Sequence, residues 1–302
     1  MPQSRRRFLR NLGLSAAALM LPNRLEADVL AAHEPTTADR ERLASWLRTL
    51  RRERVAGARA PLGRAVARVG ELALGTPYRA NTLEEYIVAG GSPRTEPAIC
   101  YLTVFDCVTL VESAQAVART AAKPGAGWDD FQREMERMRY REGVRAGYTS
   151  RLHYFSEWIA DNARRGLVRD IGTELGALED ARPLRFMSTH RSAYAALRDD
   201  AAYDAIVQME HRLDASPRHL IPIDRIPAAM SGIQTGDVLA FATSIEGLDA
   251  SHTGLAYRDR AGVLRVLHAP LSGGVVTISR GDLHAYVAGI RRSTGILVAR
   301  PA

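Results

Sequence analysis

The stretch Val104-Phe105-Asp106-Cys107-Val108-Thr109-Leu110-Val111-Glu112 predicts where the central helix begins. Asp106 is a good N-cap, because its carboxylate accepts a hydrogen bond from a free backbone N–H of the first turn. The apolar residues that follow predict a buried helix from about Cys107 to Ala122. Cys107 therefore lies in the first helical turn, where free N–H groups and the helix dipole favour a thiolate. This position suits a nucleophile, although a buried structural cysteine explains the stretch on its own at least as well.

Helical patterns precede Pro217 and strand patterns follow it. Helices are predicted near residues 37–56, 62–74, 128–138, 154–165, 190–198 and 201–213, with a loop rich in Gly and Pro at 88–97. Short strands separated by turns are predicted at 237–242, 252–257, 263–269, 274–278 and 295–299. Helices first and strands last predict an α+β protein whose C-terminal strands form an antiparallel sheet.

The composition is that of a globular protein with a full core. The 302 residues, 46% hydrophobic and 25% charged, allow one large domain or two small ones. No uninterrupted apolar run reaches about 18 residues, which excludes a multi-pass membrane protein. The net charge of +7 comes almost wholly from arginine, since Lys123 is the only lysine. Codon bias explains this, but arginines also bind the carboxylates of anionic substrates, and a high pI favours nucleic-acid binding.

Residues 1–31 are predicted to be an export signal. The segment Ser4-Arg5-Arg6-Arg7-Phe8-Leu9-Arg10 is followed by a short apolar stretch and then by small residues. An arginine pair with Phe8-Leu9 after it resembles the twin-arginine signal, which implies the twin-arginine export machinery as a partner. The predicted location is the periplasm, with a membrane anchor if the signal is not cleaved. Export argues against a nucleic-acid partner.

The two cysteines, Cys100 and Cys107, allow two interpretations. In an oxidising compartment they form a disulfide, whereas a reactive cysteine stays unpaired. A single disulfide would add little to the stability of a domain of this size.

Two of the eight histidines stand out as partners for a cysteine nucleophile, which needs a base and a group that orients the base. His252 lies where a turn enters a strand, and His268 ends the next strand. The short loop between these strands predicts a hairpin, so the two histidines become neighbours at one edge of the sheet. The second ring would fix the tautomer of the first. Each histidine alone is explained as well by a buried or edge position, but the pair is not.

This order of residues resembles the NlpC-type papain-like hydrolases, in which a cysteine opens a helix and a histidine and a further polar residue lie on later strands. Uncommon strings narrow the resemblance to the family long catalogued as domain of unknown function 1460, over residues of about 70–300. Besides the stretch around Cys107, these strings are Gly75-Thr76-Pro77-Tyr78, Arg139-Tyr140-Arg141, Tyr148-Thr149-Ser150-Arg151-Leu152-His153-Tyr154, Phe186-Met187-Ser188, Ile221-Pro222 and Leu267-His268-Ala269.

The resemblance implies an N-acetylmuramoyl-L-alanine amidase, which cuts the amide between N-acetylmuramic acid and the first L-alanine of peptidoglycan. It implies Cys107 as nucleophile, His252 as base and His268 as the orienting residue, with no metal and no cofactor. The expected fold is papain-like, with the nucleophile helix packed on the C-terminal antiparallel sheet. Residues 32–302 then form a single NlpC-type catalytic domain with an N-terminal helical extension. Peptidoglycan or a muropeptide is the expected partner, and no obligate protein partner is predicted.

The segment Tyr148–Tyr154 clusters polar and aromatic groups before a helix. Arg141 and Arg151 are candidates to pair with carboxylates of the stem peptide, although a helix cap with solvated charges explains the segment equally well. The predicted substrate-binding residues are Tyr78, Asp106, Arg141, Ser150, Arg151, His153, Tyr154 and Ser188.

Three other functions stay open. A D-glutamyl–diamino acid endopeptidase of the stem would use the same triad, because both reactions hydrolyse an amide. A zinc hydrolase would use Cys107, His252 and His268 as metal ligands, although the sequence has no close ligand pair such as H-E-x-x-H. A non-catalytic wall-binding module would need a structural Cys107, for instance one bonded to Cys100.

Overall fold

The computed structural model describes residues 34–57 and 60–302. The predicted export signal, residues 1–31, lies outside the described residues. None of the described helices is both long enough and apolar enough to cross a membrane.

Within the described residues, six helices of ten residues or more form the helical part that the sequence predicts, and shorter helices connect the rest. In chain order they are α1 (Thr37–Arg52), α2 (Leu62–Leu72), α3 (Glu85–Val88), α4 (Cys107–Ala121), α5 (Trp128–Arg139), α6 (Phe155–Arg164), α7 (Phe186–Thr189), α8 (Asp200–Asp214), α9 (Ile226–Ala229) and α10 (Leu283–Ala288). The predicted helix at 190–198 is instead two 3₁₀ turns, Arg191–Ala193 and Ala195–Arg198. They are separate because Tyr194 between them has an extended backbone, with φ −114° and ψ 107°.

The strands form one antiparallel sheet, as predicted for the C-terminal part. They are β1 (Val168–Asp170), β2 (Leu178–Asp180), β3 (Arg218–Pro222), β4 (Val238–Thr243), β5 (Ala250–Arg258), β6 (Leu264–His268), β7 (Thr277–Ile278) and β8 (Ser293–Pro301). Their order is β2-β3-β8-β4-β5-β6-β7, and β1 also pairs with β8. The pattern did not predict β1, β2 or β3; the first two have three residues each, too few to show an alternation.

The sheet separates two apolar cores. Along β4, Val238, Ala240 and Ala242 face the core that contains α1, α2, α4, α5 and α6. The alternate residues Leu239 and Phe241 face a second core, which includes α9 and α10. The helix α4 is buried along most of its length and lies against β5, so it is the central helix of the first core. The mixed α+β architecture with an antiparallel sheet is therefore confirmed.

A buried ion pair fixes α4 to its neighbour α5. Glu112 of α4 accepts a hydrogen bond from Arg139 Nε at the end of α5, at 2.8 Å, and both side chains are at most 3% exposed. Arg139 Nη1 also donates to the backbone carbonyl of Ile99. The guanidinium thus joins two helices and the segment that leads towards the α4 N-terminus.

We expect Glu112→Gln to lower the free energy of unfolding by about 3–5 kcal/mol, because it leaves the buried Arg139 charge without its counterion. Urea denaturation measures this loss. The control is Glu142→Gln, which breaks the exposed pair with Arg164 and should leave the unfolding midpoint nearly unchanged, because water screens an exposed pair. Equal unfolding midpoints for the two variants would contradict the structural importance of the buried pair.

Candidate active site

The hairpin of β5 and β6 brings two histidines together at the edge of the sheet. The two strands pair antiparallel, with Leu255 opposite Leu267, which confirms the predicted hairpin. His252 Nε2 lies 2.8 Å from His268 Nδ1. The Phe241 ring stacks on the His252 ring with centroids 5.5 Å apart, which limits rotation of that imidazole. Within the described residues, His252 Nδ1 has no hydrogen-bond partner, so this nitrogen is available for a proton.

The helix α4 begins at Cys107, as predicted, and Asp106 is its N-cap. The Asp106 carboxylate accepts a 2.7 Å hydrogen bond from the backbone N–H of Thr109. The Cys107 thiol faces the backbone N–H and the hydroxyl of Thr253 and the backbone N–H of Val108. Because Thr253 follows His252 directly in β5, the α4 N-terminus meets the strand at the histidine.

The buried Thr253 hydroxyl has no other hydrogen-bond partner among the described residues. It is therefore free to donate to the sulfur of Cys107. A donor at this place stabilises a thiolate as it forms.

Burial makes the resting site neutral. Desolvation, with a further contribution from the Asp106 carboxylate, raises the pKa of the Cys107 thiol to about 12. Desolvation, and then the neighbouring His268, lowers the pKa of His252 to about 3. The predicted thiolate stabilisation at the helix start is thus outweighed by burial, because a charged sulfur loses its hydration there. The resting pair is a thiol and a neutral imidazole.

Two tyrosines complete the site. Burial and then the Cys107 charge raise the pKa of Tyr78, which therefore stands within electrostatic reach of the thiol. Burial and then the Cys107 charge also raise the pKa of Tyr286 in α10, to about 12. The Tyr286 hydroxyl lies 3.1 Å from His268 Nδ1. The string Gly75-Thr76-Pro77-Tyr78 is the feature of the sequence that predicts Tyr78. Tyr286 was missed, since the short helix that carries it contains no recognisable motif.

The second cysteine is not linked to the first. Both cysteines are free, and Cys100 is buried, with a pKa raised to about 12 by desolvation. The disulfide interpretation of the sequence is therefore not the arrangement in this structure.

Several predicted substrate-binding side chains are committed to partners within the protein. Arg151 is buried and pairs with Glu84 and Glu96, and its guanidinium lies over the Tyr148 ring. Tyr154 is 1% exposed and donates to Glu210 at 2.6 Å. These glutamates are distant in sequence, so the pattern could not show that Arg151 and Tyr154 point inward. For these two residues the structure shows a packing role.

The remaining candidates are partly exposed but also hydrogen-bonded. Arg141 donates to Glu157 at 2.7 Å and to the Thr149 carbonyl. His153 Nε2 contacts the Tyr148 carbonyl at 2.9 Å. The hydroxyls of Ser150 and Ser188 donate to the carbonyls of Gly147 and Arg185. Tyr78 and Asp106 are the two candidates at the Cys107 thiol, and the Asp106 carboxylate is engaged as the helix cap.

Among residues 34–57 and 60–302, no group of three or more His, Cys, Asp or Glu side chains is arranged to hold a metal ion. The zinc-hydrolase alternative therefore has no donor cluster in this part of the chain.

Residues 68–296 match the family model of AmiA-like proteins, described as N-acetylmuramoyl-L-alanine amidase-like. The chain belongs to the AmiA-like family. Since the match spans more than half of the chain and includes Cys107, His252 and His268, the family assignment covers the whole site described above. A comparison with curated proteins gives no match.

Solved structures agree with the AmiA-like assignment. An N-acetylmuramoyl-L-alanine amidase from Bacteroides uniformis is 29% identical, with a TM-score of 0.72, over 80% of this chain and 99% of that one. A candidate xylanase from Bacteroides fragilis is 33% identical, with a TM-score of 0.69, over 77% of this chain and 99% of that one. A protein of Legionella pneumophila, at 20% identity and a TM-score of 0.62 over 88% of this chain and 97% of that one, shares the fold. The family and the Bacteroides uniformis amidase support an amidase-like hydrolase.

The reactivity of Cys107 tests the neutral resting site. We expect the rate of alkylation by iodoacetamide to rise about tenfold per pH unit between pH 6 and 9, because only the thiolate reacts and the thiol pKa is high. His252 stays neutral throughout this range, since its lowered pKa lies well below it. Mass spectrometry in a Cys100→Ala background measures the rate. A plateau that begins near pH 5 would instead indicate a preformed thiolate–imidazolium pair.

The same assay includes Thr253→Val, which should react about tenfold more slowly at pH 8 because the thiolate loses one hydrogen-bond donor. Thr253→Ser keeps the hydroxyl and is the matched control.

Proposed function

We propose that the protein is a cysteine amidase that hydrolyses the amide between N-acetylmuramic acid and L-alanine in peptidoglycan fragments. We assign Cys107 as nucleophile, His252 as general base and His268 as the orienting residue, on a papain-like framework of the NlpC type. One observation carries this assignment. The free thiol of Cys107 lies at the N-terminus of a helix and faces Thr253. Thr253 is next to His252, and the Nε2 atom of His252 is hydrogen-bonded to His268.

The proposed reaction begins with proton transfer from the Cys107 thiol to His252 Nδ1 while the sulfur attacks the lactyl carbonyl carbon. Because the thiol is protonated at rest, proton transfer to His252 has to precede or accompany the attack. We assign stabilisation of the oxyanion to backbone N–H groups at the start of α4, which is typically worth about 3 kcal/mol per donor. The imidazolium that forms at His252 donates through Nε2 to His268.

The leaving group needs the proton that His252 has taken. His252 returns it to the alanine nitrogen as the carbon–nitrogen bond breaks, which leaves a thioester on Cys107. Water, deprotonated by the now neutral His252, then hydrolyses the thioester and frees the thiol. Every proton passes through His252 Nδ1, so the reaction requires the tautomer in which Nδ1 is bare.

The chemistry of the site favours an amidase over a glycosidase, although one structural neighbour is named as a candidate xylanase. Glycoside hydrolysis generally uses two carboxylates on either side of the scissile bond. The groups assembled here are a thiol, two imidazoles and two phenols. The neighbouring carboxylate of Asp106 already accepts hydrogen bonds from Thr109.

Product analysis tests the proposal. The wild-type protein, Cys107→Ala and the control Cys100→Ala are incubated with defined muropeptides, and the products are identified by mass spectrometry. We expect release of the intact stem with an N-terminal L-alanine, a loss of at least about 10³-fold in Cys107→Ala, and little change in Cys100→Ala.

The other outcomes separate the alternatives. Cleavage within the stem would make the protein an endopeptidase with the same triad. Activity retained by Cys107→Ala would exclude the cysteine mechanism. Loss of activity with a chelator, recovered by zinc, would indicate the zinc hydrolase. No product together with an unreactive Cys107 would support a wall-binding module.

We also propose export through the twin-arginine machinery to the periplasm, where peptidoglycan is found. The supporting feature is the segment Ser4–Arg10, which lies outside the described residues. We expect Arg5→Lys combined with Arg6→Lys to abolish export although the charge is kept, because the pair is read by a receptor rather than by charge alone. Cell fractionation measures this, and an unchanged periplasmic fraction would contradict it.

A further inference from the structure

One ring nitrogen in the site has two hydrogen-bond partners. His268 Nδ1 lies 2.8 Å from His252 Nε2 and 3.1 Å from the Tyr286 hydroxyl oxygen. A neutral imidazole nitrogen carries either one lone pair or one proton. His268 Nδ1 therefore either accepts from both neighbours or shares its own proton between them.

These two arrangements differ in the state of His252. If His268 Nδ1 is bare, His252 carries its proton on Nε2 and donates it, which leaves His252 Nδ1 free to accept. If His268 Nδ1 is protonated, it donates to His252 Nε2, and the single proton of His252 moves to Nδ1. In the second arrangement His252 is not a base for the Cys107 thiol. Each neutral ring carries one proton in both cases, so only the positions of the protons differ.

The Tyr286 phenol favours the first arrangement. A phenol is a stronger donor than acceptor, and an imidazole lone pair is a good acceptor for it. Burial, and then the Cys107 charge, raise the pKa of Tyr286 to about 12, so the phenol keeps its proton over the working range of pH. Donation from Tyr286 to His268 Nδ1 competes with protonation of that nitrogen.

The position of the phenol is set by ring packing. The Tyr286 ring meets the Phe241 ring edge to face, with centroids 5.4 Å apart, and the His268 ring in the same way at 4.9 Å. Phe241 also stacks on His252. The four rings form one cluster, so the hydroxyl is aimed by side chains that also hold the two histidines.

We propose that Tyr286 is a positioning residue that keeps His268 Nδ1 unprotonated and thereby holds His252 in the tautomer that accepts the Cys107 proton. The role in turnover rests on the proposed function, whereas the effect on the histidine tautomers does not. Tyr286 acts through His268 and makes no contact with the substrate in this mechanism.

Nitrogen NMR of protein labelled with ¹⁵N-histidine tests the tautomers directly. In the wild-type protein we expect the proton on Nε2 in both His252 and His268. Tyr286→Phe keeps the ring and removes the hydroxyl, so part of the His268 population should shift to the Nδ1–H form. The matched control is Tyr257→Phe, which removes a phenol from β5, the strand that carries His252, and should leave both tautomers unchanged. Unchanged His268 shifts in Tyr286→Phe would overturn the proposal.

Kinetics provide the second readout. We expect kcat for muropeptide hydrolysis to fall about tenfold in Tyr286→Phe with KM unchanged, the size expected for loss of one hydrogen bond. Wild-type kcat in this variant, together with an inactive Cys107→Ala, would refute the proposal and leave the proposed function intact. Activity in Cys107→Ala would refute the proposed function, and the NMR experiment would still decide the role of Tyr286.

A variant with 3-fluorotyrosine at position 286 guards against misfolding of Tyr286→Phe. It keeps the ring and the hydroxyl and changes mainly the acidity of the phenol. A stronger donor should keep His268 in the Nε2–H form and should shift the resonance of the unprotonated Nδ1, because that nitrogen accepts the hydrogen bond from the phenol. Shifts identical to those of the wild-type protein would again count against the proposal.

Discussion

The site depends on backbone hydrogen bonds that fix the place where α4 begins. The residue two positions before Cys107, Phe105, donates its N–H to the Pro77 carbonyl at 3.0 Å and accepts from the Arg79 N–H at 2.9 Å. Tyr78, between these two, donates its own N–H to the Gly274 carbonyl. Three segments that are far apart in the sequence are thus joined around one thiol. A shift of any one of them moves the α4 N-terminus relative to β5.

Burial then decides how the site works. The same loss of hydration raises the pKa of Cys107 and lowers those of His252 and His268, so the resting groups carry no charge. A preformed ion pair would tolerate either neutral tautomer of His252, because the imidazolium carries both protons. A neutral imidazole does not, since only one of its nitrogens is bare. The hydrogen bonds that select the tautomer therefore matter more here than they would in a charged pair.

The sequence predicts local features of the site well and long-range ones poorly. The N-cap Asp106, the start of α4 at Cys107 and the hairpin of His252 and His268 each depend on a few consecutive residues, and the structure has all of them. Tyr286 could not be predicted, because its role arises only when α10 packs beside the hairpin. The polar segment around Arg151 predicts a substrate ligand, but its partner Glu84 lies 67 residues away in the sequence, where a local pattern does not show it. A polar pattern shows which groups need partners, but not whether the protein supplies them.

The N-terminal helix α1 supports the site, although the family match begins after it, at residue 68. Asp39 of α1 is fully buried, and its carboxylate accepts hydrogen bonds from the backbone N–H groups of Leu102 and Thr103, at 2.8 and 2.9 Å. Arg42, one turn further, donates to the Thr76 hydroxyl and to the Leu102 carbonyl. These contacts hold the segment just before α4 and the loop that carries Tyr78. Because the partners at Leu102 and Thr103 are backbone groups, substitutions of their side chains leave these contacts in place, and α1 is structurally a part of the framework around the Cys107 thiol.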